Sequence, residues 1–181
     1  MYKRQIYIPV TDLPDGEDPY LRENHQRNSI SKGIKDANED DIILISDLDE
    51  IPCPKAIKNF DHKMRYATFK QKHFYYKFNL QSKSYPYWYV SRVCIKKYLK
   101  SPQWLRNIKV KNQDNLFNKI FNNQQILKNG GWHFSTVKKP SEIITKMKSF
   151  AHSELVKDYM LYENYIMKKI TNCEDIFERD I

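Results

Sequence analysis

Residues 42–54 read IILISDLDEIPCP, and this stretch decides the fold around it. Its four leading apolar residues are too few for a helix and are flanked by charge, which is typical of a buried strand. Three carboxylates follow within four positions, at Asp47, Asp49 and Glu50, and two prolines stiffen the chain behind them. Carboxylates this close repel one another, so the stretch needs a compensating positive charge.

Asp47 and Asp49 lie just past the carboxyl end of the predicted strand, which is where open α/β sheets bind ligands. If the extended geometry continues for two residues, both side chains point the same way. Two carboxylates on one side form a chelate for Mn²⁺ or Mg²⁺, and the metal cancels their repulsion. A solvated acidic turn is the alternative and the usual outcome for a D-x-D pattern, but the preceding buried strand favours the metal site.

A helix is predicted over residues 18–37, because the segment begins with an Asp-Pro pair that supplies an N-cap and a first-turn proline. Glu23 and Arg27 share one helix face with Ile30 and Ile34. The isoleucines are expected in the core, so the charged pair is either buried or turned toward a polar cavity. A surface pair at the edge of the apolar stripe is the alternative.

Residues 6–10 (IYIPV) are rich in β-branched side chains and end at a turn-rich segment, which predicts a first strand. With the helix and strand that follow, they predict one βαβ unit over residues 6–46. The strand at 42–46 is then expected to be parallel and covered on both faces.

Two later segments, at 66–80 and 85–97, are rich in aromatic and β-branched residues and predict strands, with a short helical piece at 55–60 before them. Residues 101–129 are weakly patterned and indicate loops around a ligand. Interleaved aromatic and basic residues also suit a sheet that stacks nucleic-acid bases. Rows of Tyr and Phe more often fill a core or stack against sugar rings, which is the preferred interpretation.

The segment GGWHFS at 130–135 combines a backbone hinge with aromatic side chains. Gly130 and Gly131 permit a tight turn and a close approach of backbones. Trp132 is suited to holding the face of a sugar, while His133 donates a hydrogen bond or joins the shell of a metal. The alternative is a hydrophobic turn with a satisfied core histidine.

Residues 141–170 predict one or two helices. Their apolar stripe consists of Ile143, Met147, Phe150 and Leu155. This stripe is expected to pack on the sheet.

The 181-residue chain is long enough for one domain with a core, and its formal net charge is +9. A basic excess of this size indicates a polyanionic or phosphorylated partner, or only a soluble surface. The three cysteines are widely spaced, which favours a reducing, cytoplasmic location over a disulfide framework or a zinc site. No run of about 18 apolar residues predicts a transmembrane segment.

The first five residues, MYKRQ, differ in character from the rest and match a translation of the transposon-end adapter used in sequencing libraries. Residues 1–5 are therefore predicted to be non-native. The gene is expected to continue upstream of this start.

Taken in order, four motifs resemble glycosyltransferase family 17, the family of the β-1,4-mannosyl-glycoprotein β-1,4-N-acetylglucosaminyltransferase. They are REN-QR at 22–27, DIILISDLDEIPCP at 41–54, GGWHFS at 130–135 and K-x-x-S-F-A-H-x-E at 146–154. The resemblance covers residues 6 to about 178 and implies a GT-A-like α/β fold, with a mixed sheet and flanking helices.

The resemblance implies an inverting transfer of a sugar, N-acetylglucosamine in the named member, from a UDP-sugar to a glycan hydroxyl. Asp47 and Asp49 match the element that holds Mn²⁺ (or Mg²⁺) on the diphosphate. Glu50 is a candidate base, and Glu154 is a weaker candidate. The predicted substrate-binding residues are Arg22, Glu23, Arg27, Trp132, His133, Lys146 and His152.

A GT-A domain begins with a strand and loop that receive the nucleotide base, and the readable sheet here begins later. Residues 6–181 are therefore predicted to be one catalytic domain truncated at its N-terminus and inactive as written. Two hypotheses of other classes remain open: a non-enzymatic, salt-sensitive nucleic-acid module, and a metal-dependent phosphoesterase. The transferase hypothesis predicts that UDP binding requires a metal and that the protein has no nucleic-acid partner.

Overall fold

A computed structural model describes residues 5–16, 18–110, 124–149 and 153–178, and these form a mixed α/β fold, as predicted. Contacts divide the chain into two compact units. Unit 1 comprises the described residues of Met1–Ile45, Phe60–Thr68 and Ser91–Ile126, and unit 2 those of Ser46–Asn59, Phe69–Val90 and Leu127–Ile181. Within the described ranges, no helix combines the length and the apolar character needed to cross a bilayer.

The helices are α1 (Pro19–Asn28), α2 (Pro54–Lys58), α3 (Pro102–Asn107), α4 (Pro140–Lys148) and α5 (Glu163–Asn172). The strands are β1 (Ile42–Ile45), β2 (Glu50–Pro52), β3 (Tyr66–Tyr75), β4 (Tyr87–Ile95), β5 (Gln124–Leu127) and β6 (Gly131–Ser135). Short 3-10 helices span Ser29–Gly33, Lys96–Tyr98, Ser153–Leu155 and Asp158–Leu161.

The strands are hydrogen-bonded in the order β1-β4-β3-β6-β2, and β5 pairs with β3. In unit 1, β1 runs antiparallel to β4, with Ile42 opposite Ile95, so the prediction of a parallel β1 was wrong. In unit 2, β6 is parallel to β3 and antiparallel to β2, which makes the sheet mixed. A four-residue apolar run carries no information on the direction of its partner, so the sequence could not decide this point.

The strand predicted at residues 6–10 does not form, and the βαβ unit over 6–46 is therefore also wrong. This segment has no regular structure, and Ile6 and Tyr7 are 70% and 88% exposed. Pro9 lacks the N–H that a ladder needs, and β-branched composition does not supply a neighbouring strand.

Helix α1 begins as predicted, because the Asp18 carboxylate accepts a hydrogen bond from the Tyr20 N–H at 2.9 Å. The helix ends earlier than expected, at Asn28, and the chain continues as the 3-10 helix Ser29–Gly33. Ile30 and Ile34 pack against the unit 1 core, which includes the β1 isoleucines, as their spacing predicts.

The segment 101–129 is not all loop, which corrects a further prediction. The Ser101 hydroxyl accepts a hydrogen bond from the Trp104 N–H at 3.0 Å and caps α3, and β5 follows later. A Ser-Pro pair at 101–102 is the same kind of helix start as the Asp-Pro pair of α1 and was the missed signal.

In unit 2 the predicted stripe of α4 is confirmed for Ile143 and Met147, which are buried in a core with Tyr75 of β3. Phe150 lies outside the described residues, and Leu155 is partly buried in a 3-10 helix. The α4 helix is thus packed on the face of β3 that carries Tyr75.

The close backbone approach predicted at Gly130 and Gly131 is confirmed. Gly130 donates its N–H to the Lys70 carbonyl and accepts from the Cys53 N–H, both at 2.9 Å. A Cβ atom on Gly130 would lie 2.9 Å from the Lys70 backbone. The two glycines therefore let β6 fit between β3 and β2.

Candidate active site

The acidic motif forms a turn. Strand β1 ends at Ile45, and the Glu50 N–H donates to the Asp47 carbonyl at 3.1 Å. The extended geometry on which the chelate argument depends therefore does not continue, and the turn sets the directions of the side chains. Asp47 and Asp49 are both partly exposed, with the fully exposed Leu48 between them.

Glu50 holds this turn from inside. Its side chain is 4% exposed, and Oε2 accepts hydrogen bonds from the Asp47 N–H at 3.2 Å and the Ser46 hydroxyl at 3.4 Å. This contact set gives the carboxylate a structural role. Its role as a base stays a prediction.

Asp49 faces a histidine on the neighbouring strand. Its Oδ1 lies 3.6 Å from Nε2 of His133, and its carbonyl accepts a hydrogen bond from the Phe134 N–H at 2.9 Å. Burial raises the pKa of the Asp49 carboxyl, but the contact with the His133 ring and the charge of Lys146 outweigh it, so the pKa is lowered. The carboxylate is therefore ionised at neutral pH, although its side chain is only 38% exposed.

The His133 ring is fixed by two other rings. It stacks on Trp88 with centroids 4.8 Å apart and on His73 with centroids 5.1 Å apart, at interplanar angles of 21° and 14°. The ring is 5% exposed, and its Nδ1 has no hydrogen-bond partner within the described residues. Stacking and the Asp49 contact thus set its orientation, with the Nε2 side toward the carboxylate.

His73 and Trp88 were not predicted as site residues. They lie on β3 and β4, far from His133 in sequence. His73 becomes its neighbour through the parallel pairing of β3 with β6, and Trp88 through the pairing of β4 with β3. The sequence predicts the alternation of side chains along each strand, but it does not predict the strand order that brings the three rings together.

The predicted residues of unit 2 fall into three groups. The structure places His133 3.6 Å from Asp49, and the charge of Lys146 acts on the Asp49 carboxyl. Trp132 is 41% exposed and, as the strand neighbour of His133, points to the opposite face of β6. Glu154 is exposed in the 3-10 helix Ser153–Leu155, and His152 lies outside the described residues.

The predicted residues of α1 lie in unit 1. Arg27 Nη2 is 2.8 Å from Glu23 Oε1, and Arg27 Nη1 donates to Gln103 Oε1 on α3 at 2.6 Å. The Arg27 side chain is 12% exposed and that of Glu23 37%, whereas Arg22 is exposed. Gln103 was missed because its segment was interpreted as a loop.

Arg27→Ala is expected to lower the free energy of unfolding by about 2 kcal/mol. The substitution removes a mostly buried guanidinium together with its charge-assisted hydrogen bonds to Glu23 and Gln103. Urea unfolding followed by circular dichroism measures this. Arg22→Ala is the matched control, since it removes the same charge from an exposed position of the same helix. Equal losses in the two variants would show that the Arg27 pair is worth no more than a surface pair.

The described residues can also be compared with what a divalent metal ion needs as ligands. Within residues 5–16, 18–110, 124–149 and 153–178, no group of three or more His, Cys, Asp or Glu side chains could hold a metal ion. The acidic turn offers two partly exposed aspartates, one of them with a lowered pKa. Mg²⁺-type sites commonly use one or two carboxylates plus substrate phosphates and water, so these residues fit a metal that arrives with a diphosphate.

Comparison with known families agrees with the motifs. The family model of glycosyltransferase family 17 matches residues 3–179, nearly the whole chain. No curated protein and no solved structure matches the chain significantly. On the extent of the family match, the chain belongs to glycosyltransferase family 17.

Proposed function

We propose that this chain is a metal-dependent, inverting transferase that moves N-acetylglucosamine from a UDP-sugar to a hydroxyl of a glycan. Family membership makes it a glycosyltransferase, with a sugar donor and a glycan acceptor. The metal, the nucleotide, the sugar and the stereochemistry are the proposal.

The observation that carries the proposal is the partly exposed Asp49 carboxylate, which faces His133 at 3.6 Å and is kept ionised by that contact and by the charge of Lys146. With Asp47 it supplies hard oxygen ligands suited to Mn²⁺ or Mg²⁺. When bound, the metal neutralises charge on the departing diphosphate. The His133 ring orients the Asp49 carboxylate, and the charge of Lys146, which acts on that carboxylate, would also attract a diphosphate.

An inverting transfer also needs a base that reaches the acceptor hydroxyl. Of the two predicted candidates, Glu50 is buried and accepts bonds within the turn, whereas Glu154 is exposed. We therefore favour Glu154 for this role, which reverses the preference that the sequence suggested.

The two other hypotheses lose support. A non-enzymatic nucleic-acid module and a phosphoesterase both explain the acidic or basic composition, but neither explains a match to a glycosyltransferase family over residues 3–179. No feature of the acidic turn favours either one over the transferase.

UDP is expected to bind at least about tenfold more tightly with Mn²⁺ than with EDTA, because without metal the diphosphate meets the carboxylates of Asp47 and Asp49 directly. Calorimetry of UDP with and without Mn²⁺ measures this. Equal affinities for UDP in Mn²⁺ and in EDTA would rule out a metal-bridged donor.

A further inference from the structure

Strand alternation gives the sheet of unit 2 two different faces. His73, Trp88 and His133 stack on one face, and α4 packs on that same face through Tyr75. Their strand neighbours point the other way. We call this opposite surface the lysine–aromatic face, and its residues are Ile51, Lys70, Lys72, Phe74, Tyr87, Tyr89, Trp132 and Phe134.

The lysine–aromatic face is exposed even though it is rich in rings. Tyr87, Tyr89 and Trp132 are 43%, 38% and 41% exposed, and Lys72 is exposed as well. In the strand register Trp132 lies opposite Ile51 on one side and Lys72 on the other. Large rings exposed side by side, rather than singly, indicate a binding surface.

Positive charge is built into this surface. The Lys70 ammonium lies 4.5 Å from the centroid of the Tyr87 ring and 5.9 Å from that of Tyr89. Both distances are within the range of cation–π attraction. Lys70 is therefore held over the rings and does not extend freely into solvent.

The same face carries no opposing charge. Among the described strand positions of unit 2 that point this way, none is Asp or Glu. The chain as a whole has a net charge of +9. At these strand positions a ligand that covers the rings would thus meet the positive charges of Lys70 and Lys72 and no carboxylate.

We infer that the lysine–aromatic face binds an anionic oligosaccharide, on the opposite face of the sheet from Asp49. The rings offer flat apolar surfaces for the C–H faces of sugars, and the lysines pair with carboxylate or sulfate groups. That the ligand is a glycan rests on membership of a glycosyltransferase family; that it is anionic rests on Lys70 and Lys72.

The test is a binding measurement that needs no donor and no turnover. The fluorescence of Trp132 is followed while the protein is titrated with a heparin-derived octasaccharide, a neutral N-acetylglucosamine oligomer and a single-stranded oligothymidylate. A Trp132→Phe variant identifies the part of the signal that comes from this ring. The octasaccharide is expected to bind tightest and to change the signal of Trp132.

Lys70→Ala combined with Lys72→Ala is expected to weaken octasaccharide binding roughly tenfold. Lys55→Ala with Lys58→Ala is the matched control, because it removes the same charge from α2 in the same unit. UDP affinity should be unchanged in both, which separates a failure here from a failure of the proposed function. Equal weakening in the two double variants, equal binding of the neutral oligomer, or tighter binding of oligothymidylate would each overturn the inference.

Discussion

Asp49→Asn is expected to lower kcat at least about a hundredfold, because the substitution keeps the shape of the side chain and removes the negative charge that faces His133 and that we propose as a ligand of the metal. The turn should survive, since its bond from the Phe134 N–H goes to the Asp49 backbone carbonyl. Steady-state release of UDP at saturating Mn²⁺ measures the change.

Asp158→Asn is a suitable control, because it removes one carboxylate from an exposed position of the same unit. It should leave kcat within about twofold of the parent. If Asp49→Asn retains the turnover of Asp158→Asn, the acidic turn is not the centre of the reaction.

Gly131→Ala is expected to destabilise the fold by at least about 3 kcal/mol. Gly131 has a φ of +120°, and a Cβ atom there would lie 2.0 Å from the Ile51 carbonyl oxygen and 2.8 Å from the Cys53 nitrogen. Both neighbours are backbone atoms, so β2 and β6 would have to separate. Urea unfolding of the variant and the parent gives the difference.

Gly33→Ala provides the contrast. Its Cβ would meet only the end of the flexible Ile8 side chain, at 2.9 Å, and Gly33 has no positive φ. A change below about 1 kcal/mol is expected there. If Gly131→Ala is as mild as Gly33→Ala, the tight pairing of β2 with β6 is not what holds the acidic turn against His133.

Local signals in the sequence predicted local structure well. The Asp-Pro start of α1, the apolar run of β1 and the glycine pair at the start of β6 each act within a few residues, and each is found in the structure. The prediction of a strand at residues 6–10 was wrong, because a β-branched composition favours an extended backbone but cannot supply a partner strand.

The candidate site shows the same difference between local signals, which the sequence carries, and strand partners, which it does not. The sequence singled out Asp49, His133 and Lys146 as chemically capable side chains. The structure brings Asp49 and His133 into contact, and the charge of Lys146 acts on Asp49. The sequence could not single out His73 or Trp88, because nothing in β3 or β4 reveals which strand lies next to them. Trp132 was grouped with His133 by adjacency, although adjacent residues of a strand point to opposite faces.

The proposed function is tested most sharply by measuring the transfer of N-acetylglucosamine to an oligosaccharide. The protein and its Asp49→Asn variant are each incubated with UDP-N-acetylglucosamine, Mn²⁺ and a panel of labelled oligosaccharides. The products are analysed by mass spectrometry and proton NMR. We expect an oligosaccharide to gain one N-acetylhexosamine in β linkage, with one UDP released per transfer, and we expect almost no product from Asp49→Asn. Release of UDP without any gain by an oligosaccharide, an α-linked product, or full transfer by Asp49→Asn would contradict the proposed function.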